Sequence, residues 1–339
     1  MARDVFDRPL GNLRLSVTDR CNLRCAYCMP ETDYVWLPRR DVLTFEELDT
    51  VVAAFVSLGV ERVRLTGGEP LLRRDLSELA GLLVRRPGVR EVALTTNGIL
   101  LREQAPALRA AGLHRVTVSL DTLQPERFRT LTRRDDLRRV LEGIAAARDA
   151  GFAGLKLDTV VMRGTNDDEV LDLLEFAKSQ CTEIRFIEYM DVGGATQWSR
   201  ERVVSGAEIV ARIQQRYGFA TPLPERGSAP AERFRLPDGT VFGVIASTTA
   251  PFCGACDRSR VTADGHLYTC LYATQGLDLR APLRAGASVA DLAALVGAQW
   301  AGRRDRGAED RLRIRDRAAL VSADTLRQNP RLEMHTRGG

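Results

Sequence analysis

Three cysteines near the start of the chain form the group of residues best suited to chemistry. Cys21, Cys25 and Cys28 follow the pattern C-x3-C-x2-C. The first residues show no apolar export signal, so clustered cysteines favour a metal or cluster over disulfides. Three thiolates can hold three irons of a [4Fe–4S] cluster and leave the fourth iron open to another ligand.

A second group of cysteines lies far along the chain. Cys253, Cys256 and Cys270 follow the pattern C-x2-C-x13-C, with His266 between the last two. Three cysteines and a histidine form a common closed zinc site, and three cysteines alone suit a second cluster with an open iron. The local spacing leaves both interpretations open.

Alternating strands and helices must position these groups. The predicted strands are Leu13–Val17, Val63–Thr66, Val92–Thr96, Arg115–Leu120, Leu155–Val161 and Ile184–Ile187, and predicted helices lie near 44–58, 75–86, 101–111, 136–150 and 167–180. Such βα units indicate a parallel sheet, and six units are fewer than the eight of a closed barrel. We therefore predict an α/β fold with an incomplete (β/α)6 TIM-like barrel over residues 1–190. Residues 191–339 would form a C-terminal extension that carries the second cysteine group and the tail and caps the open side.

Several of the predicted strands alternate polar and apolar residues. Arg14 and Ser16 alternate with Leu13 and Leu15, and the second and fourth strands repeat the pattern. Helices cover the outer face of such a barrel, so the polar residues must face inward. The sequence therefore predicts a polar chamber that holds a ligand.

Composition excludes several classes of protein. The 339 residues are 44% hydrophobic and 28% charged, as in globular proteins, and no apolar run approaches the length that crosses a bilayer. The net charge is only +4 and aromatic residues make up 6%, which does not favour a nucleic-acid surface. Basic and acidic residues mix between Arg303 and Arg317, so we predict a solvated helix face there. We expect a cytoplasmic protein with no membrane or nucleic-acid partner.

The first cysteine group and the motif Gly67-Gly68-Glu69-Pro70 resemble the fingerprint of the radical S-adenosylmethionine (SAM) superfamily. The resemblance implies that the open iron binds the amino and carboxylate groups of SAM. The reduced cluster would then cleave SAM to methionine and a 5′-deoxyadenosyl radical. Glycines let the backbone approach a ligand closely, and a carboxylate suits the SAM ammonium group. The implied SAM-binding residues are Tyr27, Gly67, Gly68, Glu69, Ser119 and Met190.

The second cysteine group makes the resemblance sharper. Together with the segment Asp257–Arg260 and the terminal Gly338-Gly339, it is similar to the GTP 3′,8-cyclases of molybdenum cofactor biosynthesis over nearly the whole chain. This implies two [4Fe–4S] clusters, held by Cys21, Cys25, Cys28, Cys253, Cys256 and Cys270. The guanine of GTP would approach the open iron of the second cluster. The adenosyl radical would remove hydrogen from ribose C3′, and the carbon radical would close onto guanine C8.

The resemblance also implies a substrate site and a role for the tail. The implied GTP-binding residues are Arg14, Arg64, Thr95, Lys156, Arg258, Ser259 and Arg260. Arginine forks match phosphate oxygens, and Lys156 is one of only two lysines in the chain. Gly338 and Gly339 are implied to enter the chamber and to be needed for catalysis, since residues without side chains can thread a narrow space. We expect Arg337 to contact a phosphate or a carboxylate.

Further expectations concern partners and alternatives. The resemblance implies cyclic pyranopterin monophosphate synthase (MoaC) as the downstream partner, an electron donor such as a flavodoxin or ferredoxin, and compatibility with a homodimer. One alternative is a peptide-modifying radical SAM enzyme with an auxiliary cluster, which usually carries more C-terminal cysteines. The other is a zinc-stabilised nucleic-acid-binding protein, which would need a basic, aromatic-rich surface.

Overall fold

Six parallel strands form the centre of a twelve-stranded sheet. The computed structural model describes residues 1–31, 33–224 and 226–338. The central strands pair in chain order and are β1 (Asn12–Ser16), β2 (Arg62–Thr66), β3 (Glu91–Thr96), β4 (Arg115–Ser119), β5 (Lys156–Val161) and β6 (Glu183–Glu188). All six predicted strands, and with them the incomplete barrel, are confirmed.

Helices connect these strands and cover the outer face. They are α1 (Phe45–Ser57), α2 (Leu76–Arg85), α3 (Leu101–Ala110), α4 (Pro125–Thr132), α5 (Leu137–Asp149), α6 (Val170–Ser179) and α7 (Gly206–Tyr217). The first begins at a capping box, in which Thr44 Oγ1 accepts from Glu47 N and a Glu47 oxygen accepts from Thr44 N. The helix α4 was not predicted from the sequence. Within the described ranges, no helix has the length and apolar character to cross a membrane.

The C-terminal part of the chain extends the sheet at both edges. Its elements are β7 (Thr221–Pro222), β8 (Glu232–Arg235), β9 (Val241–Ile245), β10 (Arg258–Val261), β11 (His266–Tyr268), β12 (Leu277–Asp278), α8 (Arg280–Arg284), α9 (Val289–Ala301), α10 (Gly307–Leu312) and α11 (Ala323–Gln328). β10 runs parallel to β1, and β9 runs parallel to β6. The extension therefore does more than cap the barrel: it adds a parallel strand to each side, and the sheet continues across the proposed division at residue 190.

The two faces of the central strands differ as the alternation predicts. Leu13 and Leu15 of β1 are fully buried in the apolar core between sheet and helices. Arg14, between them, lines a cavity inside the barrel, as do Arg64 of β2 and Thr117 of β4. The polar interior is confirmed, and it is the place where a ligand can bind.

Candidate active site

A cavity of about 480 Å³ inside the barrel contacts both cysteine groups; its wall includes Cys21, Cys25, Cys28, Cys253, Cys256 and Cys270. The first group follows β1 and so lies at the carboxyl ends of the parallel strands. Cys256 precedes β10, which is parallel to β1, and therefore lies at the amino ends. β11 runs antiparallel to β10 and returns Cys270 to that same end. The cavity thus runs from one cysteine group to the other.

The three cysteines of the first group are half-buried at the wall of the cavity. Burial raises the pKa of the Cys25 thiol well above its usual value, and the neighbouring Cys21 and Cys28 raise it further. Thiols this close and this buried ionise readily only when positive charge is brought to them, as iron does. Among the described residues, no three His, Cys, Asp or Glu side chains lie close enough to hold one metal ion. A [4Fe–4S] cluster suits such a spacing, because each thiolate binds a different iron.

The second group has a more electropositive setting. Arg303 Nη2 lies 3.4 Å from Cys256 Sγ, and Arg258 Nη2 lies 3.7 Å from the same sulfur. Burial by itself would raise the pKa of Cys256, but these two guanidinium groups outweigh it and lower the pKa to about 6. Cys256 is therefore prepared as a thiolate ligand.

His266, the fourth ligand of the alternative zinc site, is not part of the cavity wall. It lies on β11, and its Nδ1 is 3.4 Å from Asp264 Oδ2. Asp264 is fully buried, and its Oδ2 also accepts from Arg331 Nε at 2.7 Å. The ring is thus directed toward a buried carboxylate, and nothing in this arrangement joins it to the three cysteines.

The glycines of the second motif press against the loop that leads to Cys21. Gly67 has a φ of +140°, and a Cβ on it would collide with Thr18 O. A Cβ on Gly68 would collide with Arg20 O. Both glycines line the cavity, as do the other predicted SAM-contacting residues Tyr27, Ser119 and Met190. The motif is required for close packing of two strand ends beside the first cysteine group.

Glu69 is the exception among the predicted SAM-binding residues, because it does not line the cavity. Its Oε1 accepts from Thr96 Oγ1 at 2.7 Å, and its Oε2 accepts from Asn97 N at 2.7 Å. Burial raises the pKa of Glu69 to about 7. In this structure the carboxylate joins the ends of β2 and β3, and its contact with the ammonium group of SAM stays a prediction.

Arginines from several strands converge on the amino-end half of the cavity; the predicted GTP-binding residues that line it are Arg14, Arg64, Thr95, Arg258 and Arg260. Arg64 Nη1 donates to Thr95 Oγ1 at 3.0 Å and to Thr117 Oγ1 at 3.2 Å. Burial lowers the pKa of Arg14 well below its usual value, and Arg260 and Arg64 lower it further. Such crowding of positive charge favours a polyanion.

Two predicted substrate residues are placed differently. Lys156 is not part of the cavity wall; its Nζ donates to Glu183 Oε1 at 2.8 Å. Burial and the nearby Arg185 lower the pKa of Lys156 to about 8. Ser259 faces the opposite side of β10 from its neighbours, and its hydroxyl donates to Asn12 O at 3.0 Å. The Ser259 side chain therefore does not face the cavity, since successive side chains of a strand alternate.

Three further arginines line the cavity and were not among the predicted site residues: Arg62, Arg115 and Arg185. Arg115 forms an ion pair with Glu91, and Arg185 Nε donates to Glu183 Oε1 at 3.0 Å. Their positions in the alternating strands already indicated that Arg62 and Arg115 face inward. Alternation alone, however, could not separate ligand-binding arginines from those neutralised by a carboxylate.

The C-terminal tail enters this cavity. Ser16 Oγ donates to Thr336 O at 2.9 Å. Gly338 O accepts from Arg14 Nη1 and from Arg260 Nη1, each at 2.8 Å. Gly339 lies outside the described residues. The tail therefore meets two of the arginines predicted to bind substrate.

Arg337 anchors the tail to the loop that follows Cys270. Its Nη1 donates to Leu271 O at 2.9 Å and Ala273 O at 2.6 Å, and its guanidinium carbon lies 4.1 Å from the Tyr268 ring centroid. The expected contact with a phosphate or carboxylate is replaced by these backbone contacts. Gly193 packs closely against the segment that leads into the tail, because a Cβ on Gly193 would collide with Leu332 O.

The prediction of a solvated helix face between Arg303 and Arg317 is wrong for three of the arginines in that segment. Arg303 is buried beside Cys256. Arg311 Nε and Arg317 Nε both donate to the fully buried Asp191, at 2.5 and 2.7 Å. A mixed charge pattern is typical of a surface, but here it supplies the partners of one buried carboxylate next to Met190.

Comparisons with known proteins agree with this geometry. Residues 15–177 match the radical SAM superfamily, and residues 182–309 match the family described as Molybdenum Cofactor Synthesis C. GTP 3′,8-cyclase 1 of Mycobacterium tuberculosis (strain CDC 1551 / Oshkosh) is 54% identical over 341 residues, which cover 99% of this chain and 95% of that protein. The GTP 3′,8-cyclase of Streptomyces coelicolor is 49% identical over 314 residues, 91% of each chain.

Solved structures share the fold. Streptococcus suis SuiB bound to S-adenosylmethionine superposes with a TM-score of 0.57 at 16% identity, over 81% of this chain and 64% of that one. A sequence identity this low shows only that the architecture is shared. The full-length similarity at 54% identity is decisive for the family. The chain belongs to the GTP 3′,8-cyclase family of the radical SAM superfamily.

Proposed function

We propose that this chain is a radical SAM lyase that converts GTP to (8S)-3′,8-cyclo-7,8-dihydroguanosine 5′-triphosphate in molybdenum cofactor biosynthesis. The observation that carries the proposal is one cavity with three cysteines at each end and buried arginines between them. Family membership supports it and argues against the peptide-modifying and zinc-dependent alternatives. Anaerobic incubation with GTP, SAM and a reductant should yield 5′-deoxyadenosine and the cyclised nucleotide in equal amounts; cleavage of SAM without any cyclised nucleotide would contradict it.

The residues present fit two [4Fe–4S] clusters and SAM. Cys21, Cys25 and Cys28 would hold the first cluster, which supplies the electron that cleaves bound SAM. Gly67 and Gly68 would bring the backbone close to SAM beside it, because both line the cavity and pack without side chains against the loop that leads to Cys21.

The substrate would lie between the two cysteine groups. Arg14, Arg64 and Arg260 would bind the triphosphate, since buried arginine forks bind phosphate oxygens strongly. The carbonyl of Gly338 already bridges Arg14 and Arg260, so the tail holds both forks in place. Guanine would then approach the second group, whose thiolate at Cys256 is stabilised by Arg258 and Arg303.

Replacing Arg260 by alanine should weaken GTP binding by roughly tenfold to a hundredfold, because one charge-assisted contact is lost. The affinity of Arg260→Lys for GTP should lie between those of the parent and of Arg260→Ala, since a lysine keeps the charge but not the fork. Equilibrium binding of GTP under anaerobic conditions measures the effect. Arg129→Ala, on the exposed face of α4 with 58% of its side chain accessible, is the matched control. Equal affinity for GTP in Arg260→Ala and the parent would remove Arg260 from the site.

Protein isolated without oxygen should contain about eight irons and eight sulfides per chain, as two [4Fe–4S] clusters require. His266→Ala should leave both clusters intact, because His266 is directed toward Asp264 and not toward the cavity. Iron, sulfide and zinc analysis of the two proteins makes the comparison. Stoichiometric zinc in the parent that is lost in His266→Ala would restore the zinc interpretation.

We further propose that the product passes to cyclic pyranopterin monophosphate synthase (MoaC) and that a flavodoxin or ferredoxin donates the electron. Gly254 and Ala255, between two cysteines of the second group, are exposed. This exposure supports electron transfer from a docked carrier at that end. A homodimer is compatible with the proposal, and sedimentation of the loaded enzyme would test it.

A further inference from the structure

Asp158 is an acidic residue in the arginine-rich part of the cavity, and neither the sequence motifs nor the resemblance accounts for it. It is the third residue of β5, and it lines the cavity. A carboxylate at this place opposes the binding of a triphosphate, because it repels phosphate oxygens. Binding of a triphosphate alone therefore does not account for Asp158.

Within the described residues, Asp158 differs from the other acidic residues of the cavity wall in having no hydrogen-bond or ion-pair partner for its side chain; Oδ1 is buried and unpaired. Glu91 is paired with Arg115. Asp121 accepts from Tyr27, and Asp257 accepts from Ser228. Acidic side chains without a protein partner are rare inside proteins, and because Asp158 is only partly buried and lines the cavity, a ligand can supply the missing partner.

The place of Asp158 in the sheet indicates which part of a ligand it meets. Its Cα partner on β4 is Ser119, a predicted SAM contact, and its partner on β6 is Arg185 of the arginine-rich region. Asp158 also interacts electrostatically with Arg14 and Arg64. It thus lies between the SAM end of the cavity and the predicted triphosphate site.

In the proposed function the SAM-derived radical attacks C3′, a carbon of the GTP ribose, so the ribose must lie between the triphosphate and SAM. Ribose hydroxyls are hydrogen-bond donors, and a carboxylate is a strong acceptor. We propose that the Asp158 carboxylate accepts a hydrogen bond from a ribose hydroxyl of GTP and so holds C3′ toward SAM. This inference rests on the proposed function and adds a specificity-determining residue to it.

The test compares GTP with its 2′-deoxy and 3′-deoxy analogues. In the cluster-loaded parent, the analogue that lacks the bound hydroxyl should bind roughly tenfold to a hundredfold more weakly than GTP. In Asp158→Ala this ratio should fall to about 1, since no acceptor remains, while Asp158→Asn should give an intermediate ratio because a neutral acceptor is weaker. The ratio of dissociation constants is the proper quantity, because loss of the carboxylate also strengthens triphosphate binding.

Asp149→Ala, at the end of α5 with 67% of its side chain exposed, is the matched control and should keep the parent's ratio. Because Asp158→Asn is isosteric, its ratio decides the question even if the alanine variant fails to fold. SAM also carries a ribose, so SAM affinity is measured in parallel. A weaker affinity for SAM with an unchanged GTP ratio would assign Asp158 to SAM and overturn the inference, and so would an unchanged ratio alone. Failure of the parent to bind GTP would overturn the proposed function itself.

Discussion

Replacing Gly338 by alanine should reduce formation of the cyclised nucleotide by about a hundredfold or more, because displacement of a positioned group by about 1 Å costs that much. Gly338 has a φ of +64°, and a Cβ there would collide with Thr66 Oγ1. The backbone would have to move, and the carbonyl that bridges Arg14 and Arg260 would move with it. Cleavage of SAM should continue, uncoupled, since the first cysteine group is not touched.

The measurement is the yield of 5′-deoxyadenosine and of cyclised nucleotide in the same reaction. Removal of Gly338 and Gly339 should give the same uncoupling while preserving the fold and both clusters. Gly286→Ala is the matched control: Gly286 has a φ of +91°, but nothing lies within 4 Å of an added Cβ. It reproduces the backbone strain without the collision. A normal yield of cyclised product from the truncated protein would show that the tail is dispensable.

Loss of Cys270 should stop cyclisation of the nucleotide while cleavage of SAM continues. Cys270→Ala removes one ligand of the proposed second cluster, so iron should fall toward about four per chain. Cyclised product should fall below detection, because guanine loses its binding partner, whereas SAM cleavage should continue. Cys25→Ala should abolish both, since no electron then reaches SAM.

Iron content, 5′-deoxyadenosine and cyclised nucleotide are measured for each cysteine variant. Cys181 is exposed and lies outside the cavity wall, so Cys181→Ala controls for the loss of a thiol and should behave as the parent. Cyclised product at the parent's rate from Cys270→Ala would mean that the second cysteine group does not serve catalysis.

The C-terminal tail physically connects the site of the Gly338 change with the second cysteine group. Arg337 joins the tail to the loop after Cys270, and Gly338 O joins it to Arg14 and Arg260. The arginines proposed to bind substrate and the second cysteine group are therefore linked through contacts with the tail backbone. This linkage is the physical reason why the changes at Gly338 and at Cys270 are both expected to stop cyclisation without stopping SAM cleavage.

Local sequence patterns were sufficient to predict the central strands and the first cysteine group of this protein. The alternation of short apolar strands with amphipathic helices located all six central strands, and the period-2 pattern within several of them indicated which side chains face the polar chamber. The spacing of the first cysteine group and the Gly67-Gly68 motif are local as well, since each lies in the single loop that follows one strand. The helix α4 was missed because it has only eight residues, Pro125–Thr132, and buries only two apolar side chains, Phe128 and Leu131.

Only the tertiary structure decided which distant residues meet. Strand pairing is not encoded in a strand's own residues, so the addition of β9 and β10 to the two sheet edges could not be predicted from them. The same holds for burial of charge: Arg303 resembles a surface arginine until β10 brings Cys256 beside it. Lys156 matched a substrate residue in sequence, but its nearest partner is Glu183 from the neighbouring strand. Sequence determines which groups are available, and packing decides which of them are neutralised and which stay open to a ligand, because that depends on contacts between residues far apart in the chain.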